Sequence, residues 1–250
     1  MRIDINCDMG ESYGHYKIGH DLSLMDYISS CNIACGYHAG DPVVMQETVN
    51  QAAKKGLGIG AHPSYPDLQG FGRRSMKIPT EELSAMIRYQ VYALKGFVEM
   101  AGSKLHHIKP HGALYNDIAK SEELSNMIAD LVLNISPEIT LVGLAGSVTE
   151  KVCSSQKIKF RGEFFADRNY DNEGYLVSRT KENAVISNPE QIAERTLRFA
   201  KTGEVRSIEN TPLKLNATTI CIHGDHHNSL ATAKAIYKTL TLSGISINHE

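Results

Sequence analysis

The chain has 250 residues, and its 26 basic and 28 acidic side chains give a formal net charge of −2. Neither sign forms a long block, which disfavours nucleic acid or an anionic membrane as the main partner. No apolar run approaches the roughly 20 residues that span a bilayer, and no signal-peptide core follows Met1. We therefore expect a cytoplasmic protein that acts on a small molecule.

The five cysteines are an odd number and include no C-x-x-C pair. Each lies in or beside an apolar stretch, which is typical of buried, reduced thiols and not of disulfides or a zinc knuckle. The length by itself allows one large domain or two small ones.

Short apolar runs alternate along the chain with longer amphipathic segments. Seven runs are predicted to be strands, at residues 3–7, 31–35, 57–61, 105–109, 140–144, 158–162 and 218–222. Five amphipathic segments are predicted to be helices, beginning at Asp41-Pro42, Thr80, Ser121, Asn188 and Ser229. This alternation predicts a parallel sheet with helices packed against it.

Polar side chains follow nearly every predicted strand. In an open sheet with strands about 4.8 Å apart, the outer two of seven would lie roughly 29 Å from each other, too far to share one small substrate. Closing the sheet brings the strand ends together. We therefore expect an α/β fold, a single TIM-barrel-like β/α-barrel domain over residues 1–250 with its site at the C-terminal mouth. Residues 164–187, the longest stretch without predicted regular structure, are a candidate lid.

Two carboxylates, Asp8 and Glu11, end the first predicted strand. A carboxylate there suits metal binding, pairing with a lysine or general-base catalysis, and Asp is also typical of ordinary turns. The second strand region contains Asn32 and is followed by His38, among small residues that let backbone approach a ligand. Asp41 is interpreted as a helix cap.

His62 follows the third predicted strand, directly before Pro63 and a glycine-rich loop that ends in Arg73 and Arg74. Its position makes it a candidate catalytic residue. Paired arginines bind a carboxylate or phosphate through bidentate hydrogen bonds, although two arginines on a loop are also common on a solvated surface.

The fourth predicted strand leads into the densest set of reactive side chains. Alternation along the strand sends His107, Lys109 and His111 to one side and His106 to the other. A lysine inside a barrel mouth needs a carboxylate partner or an anionic ligand, so Lys109 is a functional candidate. His106 is interpreted as a packing residue.

Polar clusters also follow the last two predicted strands. Glu163, Asp167 and Arg168 suit either a substrate site or a surface salt-bridge cluster. His223 and Asp225, nearest the end of the last strand, are candidate metal or catalytic residues. No glycine in the chain is followed by lysine. A Walker loop is therefore absent, and any ATP must be bound in another way or by another chain.

Taken together, these motifs resemble the LamB/YcsF family of 5-oxoprolinase subunits. The likeness runs in order through residues 6–14, 30–42, 60–74, 109–116, 163–170 and 221–225. It implies a modified seven-stranded barrel similar to the glycoside hydrolase/deacetylase barrels. The residues at the family's shared polar positions are Asp8, Glu11, His38, His62, Lys109, His111, Asp167, Arg168, His223 and Asp225. One departure lies at residues 226–229, which puts in doubt only a role for His226 and His227.

The resemblance implies ATP-dependent opening of the lactam ring of 5-oxoproline (pyroglutamate) to glutamate, in a complex with two partner proteins, the B and C subunits. ATP and a divalent metal, magnesium with the ATP, are the implied cofactors. We predict as catalytic Asp8, His38, His62, Lys109, His111, Asp167, His223 and Asp225. We predict as substrate-binding Glu11, Asn32, Arg73, Arg74, Glu163 and Arg168.

Two alternatives remain open from the residues. A metal-dependent, deacetylase-like hydrolase would use Asp8, His38 and His62 as ligands and would act alone. A non-catalytic protein would bind a small lactam or sugar acid without turnover.

Overall fold

The computed structural model describes residues 1–19, 21–224 and 228–249. Its barrel strands are β1 (Arg2–Met9), β2 (Ser30–Ala34), β3 (Gly58–His62), β4 (Leu105–Ile108), β5 (Thr140–Leu144), β6 (Phe160–Phe165) and β9 (Thr219–Ile222). They pair in parallel in that order, and β9 pairs with β1 to close the sheet. The predicted seven-stranded β/α barrel is confirmed.

Helices surround this barrel and pack against its strands. They are α1 (Asp21–Leu24), α2 (Pro42–Lys54), α3 (Thr80–Met100), α4 (Gly112–Lys120), α5 (Glu122–Ile135), α6 (Val148–Ser155), α7 (Pro189–Thr202) and α8 (Ser229–Leu242). Asp41 caps α2 by accepting hydrogen bonds from the backbone of Val43 and Val44, as predicted. None of the helices in the described ranges is long and apolar enough to cross a membrane.

Several elements differ from the prediction. β6 begins two residues later and ends three residues later than expected, and β1 extends to Met9, so that Asp8 and Glu163 lie on strands and not after them. The helices α1, α4 and α6 were not predicted. Three short strands were also missed: the hairpin of β7 (Glu204–Arg206) with β8 (Pro212–Lys214), and β10 (Ser246–Ile247), which pairs with β1.

The interior of the barrel is polar, while the apolar core lies between the barrel and its helices. In β1, Ile3, Ile5 and Cys7 belong to the apolar core. The alternate residues Asp4 and Asn6 make side-chain hydrogen bonds to the neighbouring strands, to Ser30 of β2 and Thr219 of β9 among others. The period-2 alternation of a strand therefore sends apolar side chains outward and polar ones inward, towards the site.

One glycine makes room for this interior. A Cβ at Gly60 of β3 would lie 2.1 Å from Nε2 of His107 on β4, closer than any real contact. Because Gly60 has no side chain, the His107 ring crosses above it and reaches Asn32 Oδ1 at 2.7 Å. The glycine is required by close packing, since it is not one of the residues with positive φ.

The predicted lid, residues 164–187, gives its first two residues to β6. Beyond them, the segment is held by two isolated bridges, Arg168 with Val185 and Tyr170 with Leu176. Residues 175–182 of this segment line the cavity at the barrel mouth. Their place over the mouth agrees with the predicted lid, and movement of the segment stays a prediction.

Candidate functional site at the barrel mouth

Lys109 lies at the base of the mouth and is only 2% exposed. Its Nζ contacts the carboxylates of Asp8 at 3.0 Å and Glu163 at 2.9 Å. It also contacts Asn6 Oδ1 at 3.1 Å and Cys221 Sγ at 3.1 Å. The buried ammonium is thus compensated by two carboxylates from two different strands, β1 and β6.

These contacts fix the charge states of the central pair. Burial by itself lowers the pKa of Lys109, but the neighbouring groups, Asp8 first and then Cys221 and Glu163, raise it by more, and the net pKa lies well above the ordinary value. Burial raises the pKa of Asp8, but His62 and Lys109 lower it by more, and the net value lies well below that of a free carboxyl. The base of the mouth therefore holds the Lys109 cation and the Asp8 carboxylate at neutral pH.

Two amides support this centre from below. Asn32 donates from Nδ2 to Asn6 Oδ1 at 2.7 Å and to Asp8 Oδ1 at 2.8 Å, and its Oδ1 accepts from His107. Asn6 donates to Glu163 Oε1 at 2.8 Å. Both N–H groups of Asn32 are thus used within the barrel, where they orient Asn6 and Asp8. Its predicted contact with substrate stays a prediction.

A second cluster consists of three buried histidines and a carboxylate. His62 Nε2 lies 2.9 Å from His111 Nδ1 and 3.3 Å from Asp8 Oδ2. The rings of His38 and His111 stack with centroids 3.7 Å apart. Glu11 Oε1 lies 3.3 Å from His38 Nε2 and 3.7 Å from His111 Nδ1. The last residue of β3 and the loops after β1, β2 and β4 thus bring four predicted site residues together.

On the other side of Lys109, His223 follows β9 and its Nδ1 is held by Asp167 at 2.8 Å. Since the carboxylate accepts the Nδ1 hydrogen, Nε2 is the nitrogen that can accept a proton from a ligand. The His223 ring stacks on Phe165, with centroids 5.6 Å apart. This pair has the arrangement of a general base and its orienting acid.

These clusters share a cavity of about 730 Å³ at the mouth. Seven of the predicted site residues line it: Asp8, His62, Arg73, Lys109, His111, Arg168 and His223. Its basic lining residues are Arg73, Lys109, Lys120, Arg168, Arg179 and Lys181, against the acidic Asp8, Asp171, Glu182 and Glu209. The excess of basic groups suits an anionic ligand.

Residues 3 to 250 match the LamB/YcsF family. The chain belongs to this family. It is 47% identical over 246 residues to a protein of Bacillus cereus strain AH187 and also 47% identical to one of Bacillus licheniformis, both named as the A subunit of 5-oxoprolinase. Each match covers 98% of this chain and 97% of the relative. The crystal structure of a lactam utilization protein from Thermus thermophilus superposes with a TM-score of 0.94 at 38% identity, covering all of both chains.

Other predicted residues of this LamB/YcsF protein lie away from the cavity wall. Glu11, His38, Asn32, Glu163 and Asp167 lie behind or beneath residues that line it. The Arg74 guanidinium forms an ion pair with the buried Asp67 and its side chain is 62% exposed, so it braces the 67–74 loop. Asp225, His226 and His227 lie outside the described residues.

Several residues of the site were not predicted. Asn6, Ser64, Tyr115 and Arg179 either support the clusters or line the cavity. Asn6 could have been predicted from the sequence, because it lies on the same face of one strand as Asp4 and Asp8. The other three depend on contacts of α4, which carries Tyr115, and of the loops that carry Ser64 and Arg179 with segments distant in the sequence.

Tyr115 and Glu163 share an unusual environment in this LamB/YcsF protein. Among the described residues, neither Tyr115 Oη nor Glu163 Oε2 has a partner in hydrogen-bonding geometry, although both are buried. Burial, and after it the carboxylate of Glu163, raises the pKa of Tyr115 well above its usual value. The Tyr115 phenol is therefore protonated and lies beside the Glu163 carboxyl group at the cavity base.

Two groups of side chains have the composition of a metal site: Glu11 with His38, His62 and His111, and Asp8 with Cys221 and His223. In the second group, the Lys109 ammonium already contacts both Asp8 and Cys221. A cation bound there would meet a like charge at close range. The first group is therefore the better candidate for a metal.

Proposed function

We propose that this chain is the A subunit of an ATP-dependent 5-oxoprolinase, which opens 5-oxo-L-proline to L-glutamate and hydrolyses ATP to ADP and phosphate. The observation that carries the proposal is the 47% identity, over nearly the full length of both chains, to proteins named as the A subunit of 5-oxoprolinase. The mouth cavity supports it, because it combines a basic wall with a catalytic base and a buried lysine.

The substrate is a lactam ring with one carboxylate. Arg73, Arg168 and Arg179 line the same cavity. Burial, and after it the positive charge of Arg179, lowers the pKa of Arg168 to about 10. The two guanidinium groups repel each other, and an anion bound between them would relieve that repulsion. The substrate carboxylate, or a phosphoryl group on the way to product, has the required charge.

The lactam end then faces the base of the cavity. Phosphorylation of the lactam oxygen by ATP makes the ring carbon electrophilic. Water adds to that carbon, and the C–N bond of the tetrahedral intermediate then breaks as the nitrogen takes up a proton, which opens the ring to γ-glutamyl phosphate. Hydrolysis of this acyl phosphate by a second water releases glutamate and phosphate. In this proposal His223, held by Asp167, takes a proton from the water that adds to the ring carbon. Lys109, which lines the same cavity, stabilises the negative charge that develops on oxygen during attack.

ATP is assigned to the complex and not to this chain alone, because no glycine in the sequence is followed by lysine and a Walker loop is therefore missing. Two partner proteins, the B and C subunits, would bind or activate ATP with magnesium and present the phosphoryl group to the lactam held here. We expect the isolated chain to release no glutamate from 5-oxoproline and ATP.

The test is reconstitution of the purified chain with the B and C subunits, followed by measurement of glutamate and ADP. Arg179→Ala is expected to raise the KM for 5-oxoproline by about ten- to a hundredfold, the equivalent of one charge-assisted contact. The matched control is Arg88→Ala, an exposed arginine on α3. Glutamate release by the isolated chain without ATP would contradict the proposal and favour a hydrolase that acts alone.

A further inference from the structure

The tautomers of two buried histidines are fixed by backbone carbonyl groups. His62 Nδ1 lies 2.7 Å from the carbonyl oxygen of Lys109, and His111 Nε2 lies 2.9 Å from that of Phe71. A carbonyl oxygen can only accept a hydrogen bond, so each of these nitrogens carries the hydrogen. In the neutral rings, His62 Nε2 and His111 Nδ1 are therefore bare acceptors.

The third histidine is fixed in the same way through a hydroxyl group. His38 Nδ1 lies 3.0 Å from Ser64 Oγ, and the Ser64 hydroxyl donates its only hydrogen to the carbonyl oxygen of Tyr65 at 2.9 Å. Ser64 must then accept from His38, which leaves His38 Nε2 with a lone pair. All three outer nitrogens are donors, and all three inner nitrogens are acceptors.

The inner nitrogens converge on one another and on a carboxylate. His62 Nε2 and His111 Nδ1 are 2.9 Å apart, with lone pairs facing each other. Glu11 Oε1 lies 3.3 Å from His38 Nε2 and 3.7 Å from His111 Nδ1, and the four atoms all lie within 4.8 Å of one another. Acceptors that converge in a buried place need a positive charge between them.

Imidazoles whose outer N–H groups are hydrogen-bonded to protein are the form that ligates metals, with the outer bond fixing the ring orientation. Asp8 Oδ2, 3.3 Å from His62 Nε2, adds another negative group beside the inner nitrogens.

We propose that Glu11 Oε1, His38 Nε2, His62 Nε2 and His111 Nδ1 bind one divalent transition-metal ion. Bonds of about 2.1 Å in a tetrahedral site place ligand atoms about 3.4 Å apart. Three of the six separations in this cluster, 2.9, 3.3 and 3.7 Å, lie around that value, and all six are within 4.8 Å. Three imidazoles and one carboxylate select zinc, cobalt, nickel or iron over magnesium, which prefers oxygen ligands. This ion is therefore distinct from a magnesium ion that accompanies ATP.

The position of the ion gives it access to a ligand in the cavity. His62 and His111 line the cavity wall, whereas Glu11 and His38 lie behind it. Gly72 closes the site from the 67–74 loop, since a Cβ there would lie 2.7 Å from His111 Cδ2 and 2.9 Å from His38 Cβ. The ion is thus enclosed on one side and reaches the reaction space on the other.

The test uses the full chain, freed of metal with a chelator and titrated with Zn²⁺ by calorimetry and with Co²⁺ by visible absorption. We expect one equivalent of each ion to bind, and an excess of Mg²⁺ not to displace it. His38→Ala and Glu11→Gln are expected to weaken Zn²⁺ binding at least a hundredfold. Ser64→Ala, which keeps all four ligands and loses only the outer bond of His38, is expected to weaken it about ten- to a hundredfold.

The matched control is His15→Ala, an exposed histidine whose loss is expected to leave Zn²⁺ affinity unchanged. Circular dichroism of each variant separates loss of a ligand from loss of the fold, and Ser64→Ala serves if a ligand variant does not fold. Absence of saturable binding at one equivalent in the wild type, or wild-type affinity in both Glu11→Gln and Ser64→Ala, would overturn the proposal. The titration needs neither 5-oxoproline nor ATP, so its outcome is independent of the proposed 5-oxoprolinase activity.

Discussion

Replacement of Lys109 by methionine removes the positive partner of two buried carboxylates. Lys109 is 2% exposed, and its Nζ lies 3.0 Å from Asp8 and 2.9 Å from Glu163. Breaking a buried pair on one side leaves uncompensated charge, which costs about 3 to 5 kcal/mol. Since a domain is stabilised by only about 5 to 15 kcal/mol, we expect Lys109→Met to fold but to unfold at much lower urea concentration.

The double variant Lys109→Met/Glu163→Gln separates stability from catalysis. Removing the charge of Glu163 as well relieves one orphaned carboxylate, so about 1 kcal/mol or more of the lost stability is expected to return. Turnover of the reconstituted complex is expected to stay at least about a hundredfold below wild type in both variants, because neither has the ammonium that stabilises charge on oxygen.

Urea unfolding, monitored by circular dichroism, gives the free energy of unfolding of each variant. Glutamate release by the reconstituted complex, measured on the same preparations, gives its turnover. The control is Lys95→Met, which breaks the exposed Lys95–Glu99 pair on α3 and is expected to cost no more than about 0.5 kcal/mol. Wild-type unfolding of Lys109→Met, or normal turnover in the double variant, would refute the reasoning.

Two further predictions concern the interior below the mouth. Gly60→Ala places a methyl group where the His107 ring lies, and we expect the free energy of unfolding, measured with urea, to fall by at least about 3 kcal/mol. The control is Gly96→Ala on α3, which has open space around its Cβ position and is expected to stabilise the protein by about 0.5 to 1 kcal/mol. Burial, and after it His106, holds the pKa of His107 well below its usual value, so the unfolded state binds one more proton than the folded state once the pH falls below about 6.5. Below that pH, the free energy of unfolding of the wild type is therefore expected to fall more steeply than that of His107→Gln, by about 1.4 kcal/mol more for each pH unit. Urea unfolding of both proteins at pH 7.5, 6.5 and 5.5 measures this, and an equal dependence of unfolding free energy on pH in the two would contradict it.

The barrel was predictable because its strands and helices carry strong local signals. Asp41-Pro42 and Asn188-Pro189 mark helix starts by capping, and both cap as expected. The predicted β6 ended too early because Glu163, a charged residue, interrupts the apolar run although it points into the barrel. Helix α4 was missed because it starts immediately after His111, within a segment whose composition is typical of a loop.

The sequence predicted that the site consists of polar side chains at the ends of the strands. It did not predict which of these side chains contact one another. Alternation along β4 placed Lys109 and His111 on the inner side, and both line the cavity. Nothing local separates Arg73, which lines the cavity, from Arg74, which pairs with Asp67, because the difference lies in how one loop turns. The convergence of Glu11 with three histidines likewise depends on the C-terminal ends of four strands, β1 to β4, meeting in space.

The polar interior of the barrel bears on how such a protein is made more heat-resistant. Asp4, Asn6 and Asp8 hold one another through Thr219 and Asn32 in a continuous column from the barrel floor to its mouth. Buried polar groups of this kind lose their hydration on folding, and their hydrogen bonds to one another only offset that cost. Replacing a whole layer of them with well-packed apolar side chains is therefore often neutral or stabilising. A screen that selects for heat resistance alone would thus favour variants with an apolar barrel interior and no catalytic side chains. Stabilising changes belong instead in the outer helices and loops, where the fold is held without the site.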